Sequence, residues 1–285
     1  CPCARVDERF ADGELHVEIE DTVRGHDVYV IQPTSPPVDE HLLELIFIAD
    51  ACRRAGAERL TAVMPYFGYA RHDRRASGRS PVGARIAAGL LEHSGFARFV
   101  AIDLHAAAIE GFFQRPVEHL SAATLLADAV DTRNDGVIVA PDLGAMKLAE
   151  RYHARLHLPI AVLHKARISA SGVALRRIIG DVKARAPLIV DDMVTTGGTI
   201  EAAAQGLLDA GCAPEITVAA THGLFVGPAV ARLNALPIRS IVTTDSVIPA
   251  STPGRCRTIS LAPLLADVIA RLHGNKSLGD LLAPR

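Results

Sequence analysis

Two adjacent carboxylates followed by a Thr/Gly turn are the most chemically pointed feature of this chain. Pro187–Ile200 reads PLIVDDMVTTGGTI: an apolar run closing on Asp191 and Asp192, a short loop Thr195-Thr196-Gly197-Gly198-Thr199, then an amphipathic helix. Glycines let backbone N–H groups approach a ligand closely. The start of the helix adds unpaired N–H donors and a positive dipole end, and three threonine hydroxyls add further donors. Such a nest suits a phosphate monoester. Carboxylates at the carboxyl end of a strand sit where open α/β sheets bind ligands. There they could accept hydrogen bonds from sugar hydroxyls or hold a metal ion through water. The plainer alternative is a Gly-rich turn with Thr as an ordinary helix cap; the strand and the Asp pair directly before the loop favour the nest.

Cations cluster in two other places. Tyr66–Pro81 reads YFGYARHDRRASGRSP, with Arg71, Arg74, Arg75 and Arg79 inside nine residues and a helical pattern directly after. The stretch is too basic and too rich in Gly and Ser for a core element, and guanidinium forks suit phosphate oxygens; a solvated basic turn is the alternative. In Leu163–Arg167 (LHKAR), Lys165 and Arg167 alternate and so share one face of an extended segment. They could close over a phosphate chain, or belong to a surface β-hairpin leading into Ile168–Val182. His105 and Asp142 each follow a predicted strand, where an imidazole and a carboxylate could hold a divalent cation carrying phosphates. Taken alone, His105 is one of twelve histidines and could be a hydrogen-bonded structural one, and Asp142 could cap the helix after it.

These residues need strands that end beside them. Apolar runs predict buried strands at Asp27–Gln32, Arg59–Pro65, Phe99–Leu104, Gly136–Pro141, Ile160–Leu163, Ala186–Asp191, Glu215–Ala220 and Ile238–Thr243. Helical spacing fills most of the intervals. Val38–Gly56 would bury Leu42, Leu45, Ile46, Ala49 and Cys52; Val82–Gly95 would bury Ile86, Leu90 and Leu91; Thr199–Gly211 would bury Ala203, Leu207 and Leu208. Alternating strands and helices predict βαβ units and parallel sheets. So many strands suit two α/β domains better than one, with the break near Ala122–Asp135, where a polar DTRNDG stretch precedes a new strand. No short-period repeat or low-complexity segment is present.

The bulk composition bounds the function. A chain of 285 residues with 49% hydrophobic residues can bury a sizeable core, and 4% aromatics with no Trp make that core aliphatic. Thirty basic against 32 acidic residues give a net charge of −2, so no global field draws the chain to nucleic acid or an anionic membrane, and any polyanion site is local. No apolar run approaches the roughly 20 residues of a membrane span, and no secretory signal is visible. Cys1, Cys3, Cys52, Cys212 and Cys256 are odd in number and lack CxxC spacing, which argues against a disulfide framework or zinc site and for a reduced, cytoplasmic setting. The chain begins with Cys rather than Met, which suggests a missing N-terminus.

The Pro187–Ile200 segment resembles the PRPP-binding motif shared by type I phosphoribosyltransferases and PRPP synthetases (PRPP being phosphoribosyl pyrophosphate). Other segments point to class I PRPP synthetases: PYFGYAR-x-DR over 65–74, RFADGE over 9–14, DLHAAAIEGFF over 103–113, VAPDLG over 139–144 and LHKAR over 163–167, in that family's order and at about its spacing. The resemblance covers most of the chain. It implies two phosphoribosyltransferase-type α/β domains: residues 1–122 on the ATP side, completed by roughly residues 265–285, and residues 123–264 carrying the ribose 5-phosphate loop.

The implied reaction is ATP plus ribose 5-phosphate giving PRPP and AMP, with Mg2+ as cofactor held partly by His105 and Asp142. The resemblance assigns catalysis to Lys165 and Arg167, and ATP contacts to Phe10, Asp12, Glu14, Arg71, His72 and His105. It assigns ribose 5-phosphate contacts to Arg167, Asp191, Asp192, Thr195, Thr196, Gly197, Gly198 and Thr199. It also implies dimers, stacked commonly into hexamers, with ATP sites shared between subunits. The chain departs from the family pattern at Thr195 (usually Asp), His72 (usually Gln), Gln114 and Glu118 (often an Asp pair) and Ala166 (often Arg), and in lacking a strand and helix before RFADGE. Those departures leave open a divergent paralogue with reduced activity. Two competing readings are a phosphoribosyltransferase, which would explain VDDMVTTGGT but not RFADGE, YFGYAR or the length, and a non-catalytic PRPP-synthetase-like regulatory subunit, in which the catalytic cations or the phosphate loop would be interrupted.

Overall fold

The computed structural model describes residues 5–169 and 172–282, and of residues 5–8, 165–169 and 172–176 the backbone alone. The chain divides into two compact units: everything through Ser121 together with the chain from Ala262 onward, and Ala122–Leu261. Both are sheets flanked by helices, mainly parallel, as the alternating pattern predicts.

In the first unit β1 (Arg5–Arg9) and β2 (Leu15–Glu18) form an antiparallel hairpin. Behind it β3 (Asp27–Ile31), β4 (Arg59–Met64), β5 (Arg98–Ile102) and β6 (Val117–Leu120) pair in that order, all parallel. The crossovers are α1 (Val38–Arg54), α2 (Gly83–His93) and a 3-10 turn at Ala107–Phe112. Leu45, Ala49 and Cys52 of α1 and Ala84, Ala88 and Leu91 of α2 close on Ala62, Met64, Phe99 and Ala101 of the sheet. Phe99 and Phe113 pack with ring centroids 4.6 Å apart and planes tilted by 45°.

Two predicted faces differ from the observed ones. In α1, Ile48 is buried where Ile46 is only partly so. In α2 the buried stripe is Ala84, Ala87, Ala88 and Leu91, while Ile86 and Leu90 stand 54% and 48% exposed. Small alanines let the helix lie close to the sheet, so the face with the larger residues is not the face that packs.

The second unit holds α3 (Ala123–Ala129), β7 (Gly136–Ala140), α4 (Met146–Leu156), β8 (Ile160–Ser169), β9 (Gly172–Ile179) and β10 (Ala186–Val194). It continues through α5 (Gly198–Asp209), β11 (Ile216–Gly223), α6 (Ala229–Asn234), β12 (Ile238–Thr244) and β13 (Cys256–Ile259). The sheet order is β13-β12-β11-β10-β7-β8-β9, parallel throughout except for the β8–β9 hairpin. Val137, Val139, Ala161, Ile189 and Val218 form a continuous apolar layer under Ala203, Ala204 and Leu207. Strands buried on both faces have to be apolar along their length, which is why the sequence runs mark them. The predicted strand at Ile160–Leu163 is longer than its apolar run, because β9 supplies a ladder for the polar continuation.

Helix α7 (Ala262–His273) returns to the first unit. At the start of β3, Asp27 accepts from Arg59 Nε at 2.9 Å and Nη2 at 2.6 Å and from the Tyr29 hydroxyl at 2.9 Å, and lies 3.3 Å from His273 Nδ1. The Arg59 hydrogen bonds, above all, pull the Asp27 carboxyl down to about 2.

Candidate active site

The topology of the second unit selects a place for ligand. From β7 the chain moves to β8 on one side of the sheet; from β10 it moves to β11 on the other. Between the carboxyl ends of the adjacent β7 and β10 a crevice opens, the switch point at which doubly wound sheets bind ligands. Asp142 leaves β7 there, and Asp191, Asp192 and Thr195–Thr199 leave β10 there. A small cavity lined by Asp131, Arg133, Gly136, Glu215 and Arg239 lies at the opposite, amino end of these strands. Two of its polar groups, Arg133 and Glu215, are engaged in an ion pair, and Arg133 also pairs with Asp135.

The loop is tied by its carbonyls and open at its amides. Thr195 O accepts from Val226 N–H at 3.0 Å, and Thr196 O accepts from Arg232 Nη1 at 2.7 Å. The N–H groups of Thr196, Gly197, Gly198 and Thr199 donate to no described residue. Gly197 adopts φ +75°, a left-handed conformation that L side chains rarely take, and it is the residue before α5. The amides of Gly198 and Thr199 at the start of α5 therefore stand open, while Glu201 N–H already donates to Gly197 O at 2.9 Å. The floor is equally constrained: a Cβ on Gly223 would meet the Phe225 ring at 2.7 Å, and Leu224 and Phe225 N–H both donate to Val194 O.

The carboxylate pair lies inside β10 rather than at its end, which runs on to Val194. Asp191 Oδ1 accepts from Asp192 N–H at 3.0 Å. Burial first, then the negative neighbours Asp192 and Asp142, push the Asp191 carboxyl well above the ordinary carboxylate range. A carboxyl perturbed in this direction is the kind of group that marks a binding or catalytic cleft. Asp142 caps the next turn: Oδ1 accepts from Gly144 N–H at 2.9 Å and Ala145 N–H at 3.3 Å.

Lys165 and Arg167 fall in β8, and their side chains lie outside the described residues. The backbone register is described. Ala140, the last residue of β7, pairs with Val162, so both positions lie past the carboxyl end of β7, at the sheet edge from which Thr195–Thr199 emerge.

In the first unit, Arg71, Arg74, Arg75 and Arg79 are exposed and make no side-chain ion pair or hydrogen bond among the described residues. His72 N–H donates to Tyr69 O and its carbonyl accepts from Ala84 N–H. His105 is exposed, just beyond β5. The turn before it is strained and braced: Asp103 has φ +39°, its N–H donates to Leu120 O, and its carboxylate accepts from Ser121 Oγ at 2.7 Å. Leu104 N–H donates to His119 Nε2 at 2.9 Å, so the His119 proton sits on Nδ1, facing Glu110 at 2.8 Å. At the tip of the β1–β2 hairpin Phe10 is 55% exposed, edge-on to His16, with Asp12 accepting from Glu14 N–H at 3.1 Å. Asp12 and Glu14 are exposed beside it. Val226, Arg232, Glu110 and His119 were not distinguishable in the sequence. Each acts on a backbone group distant in the chain, and no spacing rule marks such a contact.

Comparison with known proteins agrees with this geometry. Residues 3–95 match the N-terminal domain of ribose phosphate pyrophosphokinase, and residues 173–283 match the phosphoribosyl synthetase-associated domain. The chain is 43% identical to a ribose-phosphate pyrophosphokinase of Rhodopirellula baltica, over 97% of this chain and 90% of that protein. It is 40% identical to the one of Bacillus subtilis, over 96% and 88% respectively. The crystal structure of phosphoribosylpyrophosphate synthetase from Mycobacterium smegmatis superposes with a TM-score of 0.88 at 35% identity, covering 96% of this chain and 91% of that one. With switch-point carboxylates, an amide-lined loop and relatives matched over almost their whole length, the chain belongs to the ribose-phosphate pyrophosphokinase family.

Proposed function

We propose that this chain is a ribose-phosphate diphosphokinase, moving the diphosphoryl group of ATP to the 1-hydroxyl of ribose 5-phosphate to give PRPP and AMP. The observation that carries the reading is the β10–α5 loop, whose amides stand open beside the Asp191–Asp192 pair, in a chain of this family. The acceptor's 5-phosphate takes the amides and hydroxyls of Thr195–Thr199, and Asp191 and Asp192 orient its ribose. The 1-hydroxyl oxygen attacks the β-phosphorus of ATP in line and gives up its proton to water. The bond from that phosphorus to the oxygen bridging the α-phosphate breaks, and AMP leaves. Such a transfer asks the protein for positioning and charge stabilisation rather than covalent catalysis.

Arg71, His72 and His105 of the first unit contact ATP, and Phe10 stacks on adenine, with Asp12 and Glu14 accepting from its amino group or ribose. The exposed Phe10 suits an adenine bound to a neighbouring subunit, so dimers or hexamers with shared ATP sites are part of the proposal, as is a cytoplasmic setting. Among the described residues no helix is long and apolar enough to cross a membrane. Asp142 of the second unit is a candidate ligand for Mg2+, as is, within the first unit, His105. The fit is reasonable: both cap bonds of Asp142 fall on Oδ1, leaving Oδ2 for a hydrated cation, and Mg2+ needs only one or two protein ligands beside phosphates. When bound, the ion neutralises charge on the β- and γ-phosphates. Lys165 and Arg167 offset the charge that develops in the transition state and on departing AMP.

The test is AMP release from ATP, Mg2+ and ribose 5-phosphate by wild type and Lys165→Ala. AMP should form only with the sugar phosphate present, and the variant should lose at least about a thousandfold in kcat while its melting temperature is kept. Near-full activity of Lys165→Ala contradicts the catalytic assignment, and no AMP from wild type contradicts the function.

A further inference from the structure

We propose that Arg232 is a positioning residue for the phosphate loop, holding the Thr196 carbonyl so that the Thr196–Gly197 peptide turns its N–H toward the substrate's phosphate. The inference rests on the reading that Thr195–Thr199 cradle the 5-phosphate. A trans peptide is planar, with C=O and N–H pointing in opposite directions. Whatever binds the carbonyl therefore aims the amide of the next residue. Arg232 Nη1 donates to Thr196 O at 2.7 Å, and Val226 N–H does the same for Thr195 O at 3.0 Å. Two successive carbonyls are thus held by one segment of chain, Val226–Arg232.

Arg232 is itself fixed at a second point. Its Nε meets Glu201 Oε2, in the first turn of α5, at 2.6 Å. One guanidinium fork thereby joins the loop to the helix that follows it, and its side chain is 28% exposed. A Cβ built on Gly197 would lie 3.5 Å from Arg232 Cδ, so the stem also lines the left-handed turn. Glu201 offsets the charge of Arg232 at short range. The contribution is therefore geometric, and a cation alone does not replace it: Lys has one donor group and cannot span carbonyl and carboxylate in a planar fork.

Steady-state kinetics of Arg232→Ala and Arg232→Lys test this, with Thr199→Ala as an independent probe of the loop. Arg232→Ala should raise KM for ribose 5-phosphate roughly tenfold, leave KM for ATP within about twofold, and recover on addition of guanidinium chloride at low millimolar concentration. Arg232→Lys should show a rise of at least about threefold, and it carries the test should the alanine variant not fold. An unchanged KM for ribose 5-phosphate in the Arg232 variants, with a raised KM in Thr199→Ala, overturns the role of Arg232 and leaves the loop assignment standing. Equal rises in both KM values reduce Arg232 to a general structural residue. Unchanged values in all three variants overturn the phosphate-loop reading itself.

Discussion

The Thr195–Thr199 turn and the Tyr66–Pro81 stretch both offer positive electrostatics to phosphate, and they are built in opposite ways. The turn carries no formal charge. Its attraction comes from backbone dipoles already aimed, with carbonyls tied to Val226 and Arg232 and Gly197 set at φ +75°. The stretch carries four guanidiniums on long side chains, exposed and without side-chain partners among the described residues. The first has met its ordering cost in folding. On the proposed reading the second would meet it on binding phosphate, at about 1 kcal/mol for each side chain immobilised. A compact, invariant phosphate monoester suits a rigid cradle; a long, flexible polyphosphate with changing charge suits adaptable cations.

Of the two, the larger effect should come from breaking the rigid side. Gly197→Val forces a β-branched residue into a left-handed conformation and toward Leu233, whose Cγ lies 3.4 Å from a Cβ built there. We expect kcat/KM for ribose 5-phosphate to fall by roughly a hundredfold, with KM for ATP little changed. A tolerated valine would show that the turn is not the preorganised element. The adaptable side should respond differently. Replacing any one of Arg71, Arg74, Arg75 or Arg79 by Ala should raise KM for ATP by about three- to tenfold and alter stability by less than about 0.5 kcal/mol. Because these charges are exposed, raising salt from about 0.05 to 0.5 M should weaken ATP binding more than sugar-phosphate binding. Equal salt dependence for the two substrates would erase the distinction.

The smallest effect concerns stability. Asp191 has a folded-state pKa raised by burial and by Asp192. For an acid shifted upward, the native state is penalised once pH exceeds the unfolded value, and the penalty grows up to the folded pKa. Asp191→Asn removes that penalty. At neutral pH it should gain about 1 kcal/mol of stability and lose activity, with the stability gain vanishing below about pH 4. Thermal melts across pH check this, and a destabilised asparagine variant would show that the buried carboxyl is a structural hydrogen-bonding group instead.

Much of the scaffold was legible because buried parallel strands must be apolar throughout, so Val137–Ala140, Leu188–Val190 and Ile216–Ala220 announce themselves. The Thr195–Thr199 turn was legible because a left-handed residue before a helix calls for glycine, and Gly197 sits there. Legibility failed where packing reverses the simple rule, as on α2, whose alanines face the core while Ile86 and Leu90 do not. It failed again for β6 and β13, which are four residues long and mixed in burial. The supports of the site were silent too. Arg232 acts on a carbonyl 36 residues away, and His119 receives an amide from 15 residues back; neither contact leaves a local pattern. The roles given to Lys165 and Arg167 rest on side chains outside the described residues.

Calorimetric titration of wild type and Gly197→Val with ribose 5-phosphate and with ribose, in the presence of Mg2+, addresses the cradle most directly. Wild type should bind the phosphorylated sugar and not ribose at millimolar concentration, and the variant should lose the phosphorylated sugar while still binding ATP. Equal binding of ribose and ribose 5-phosphate by wild type, or undiminished ribose 5-phosphate binding by the variant, would place the 5-phosphate somewhere other than on the β10–α5 amides.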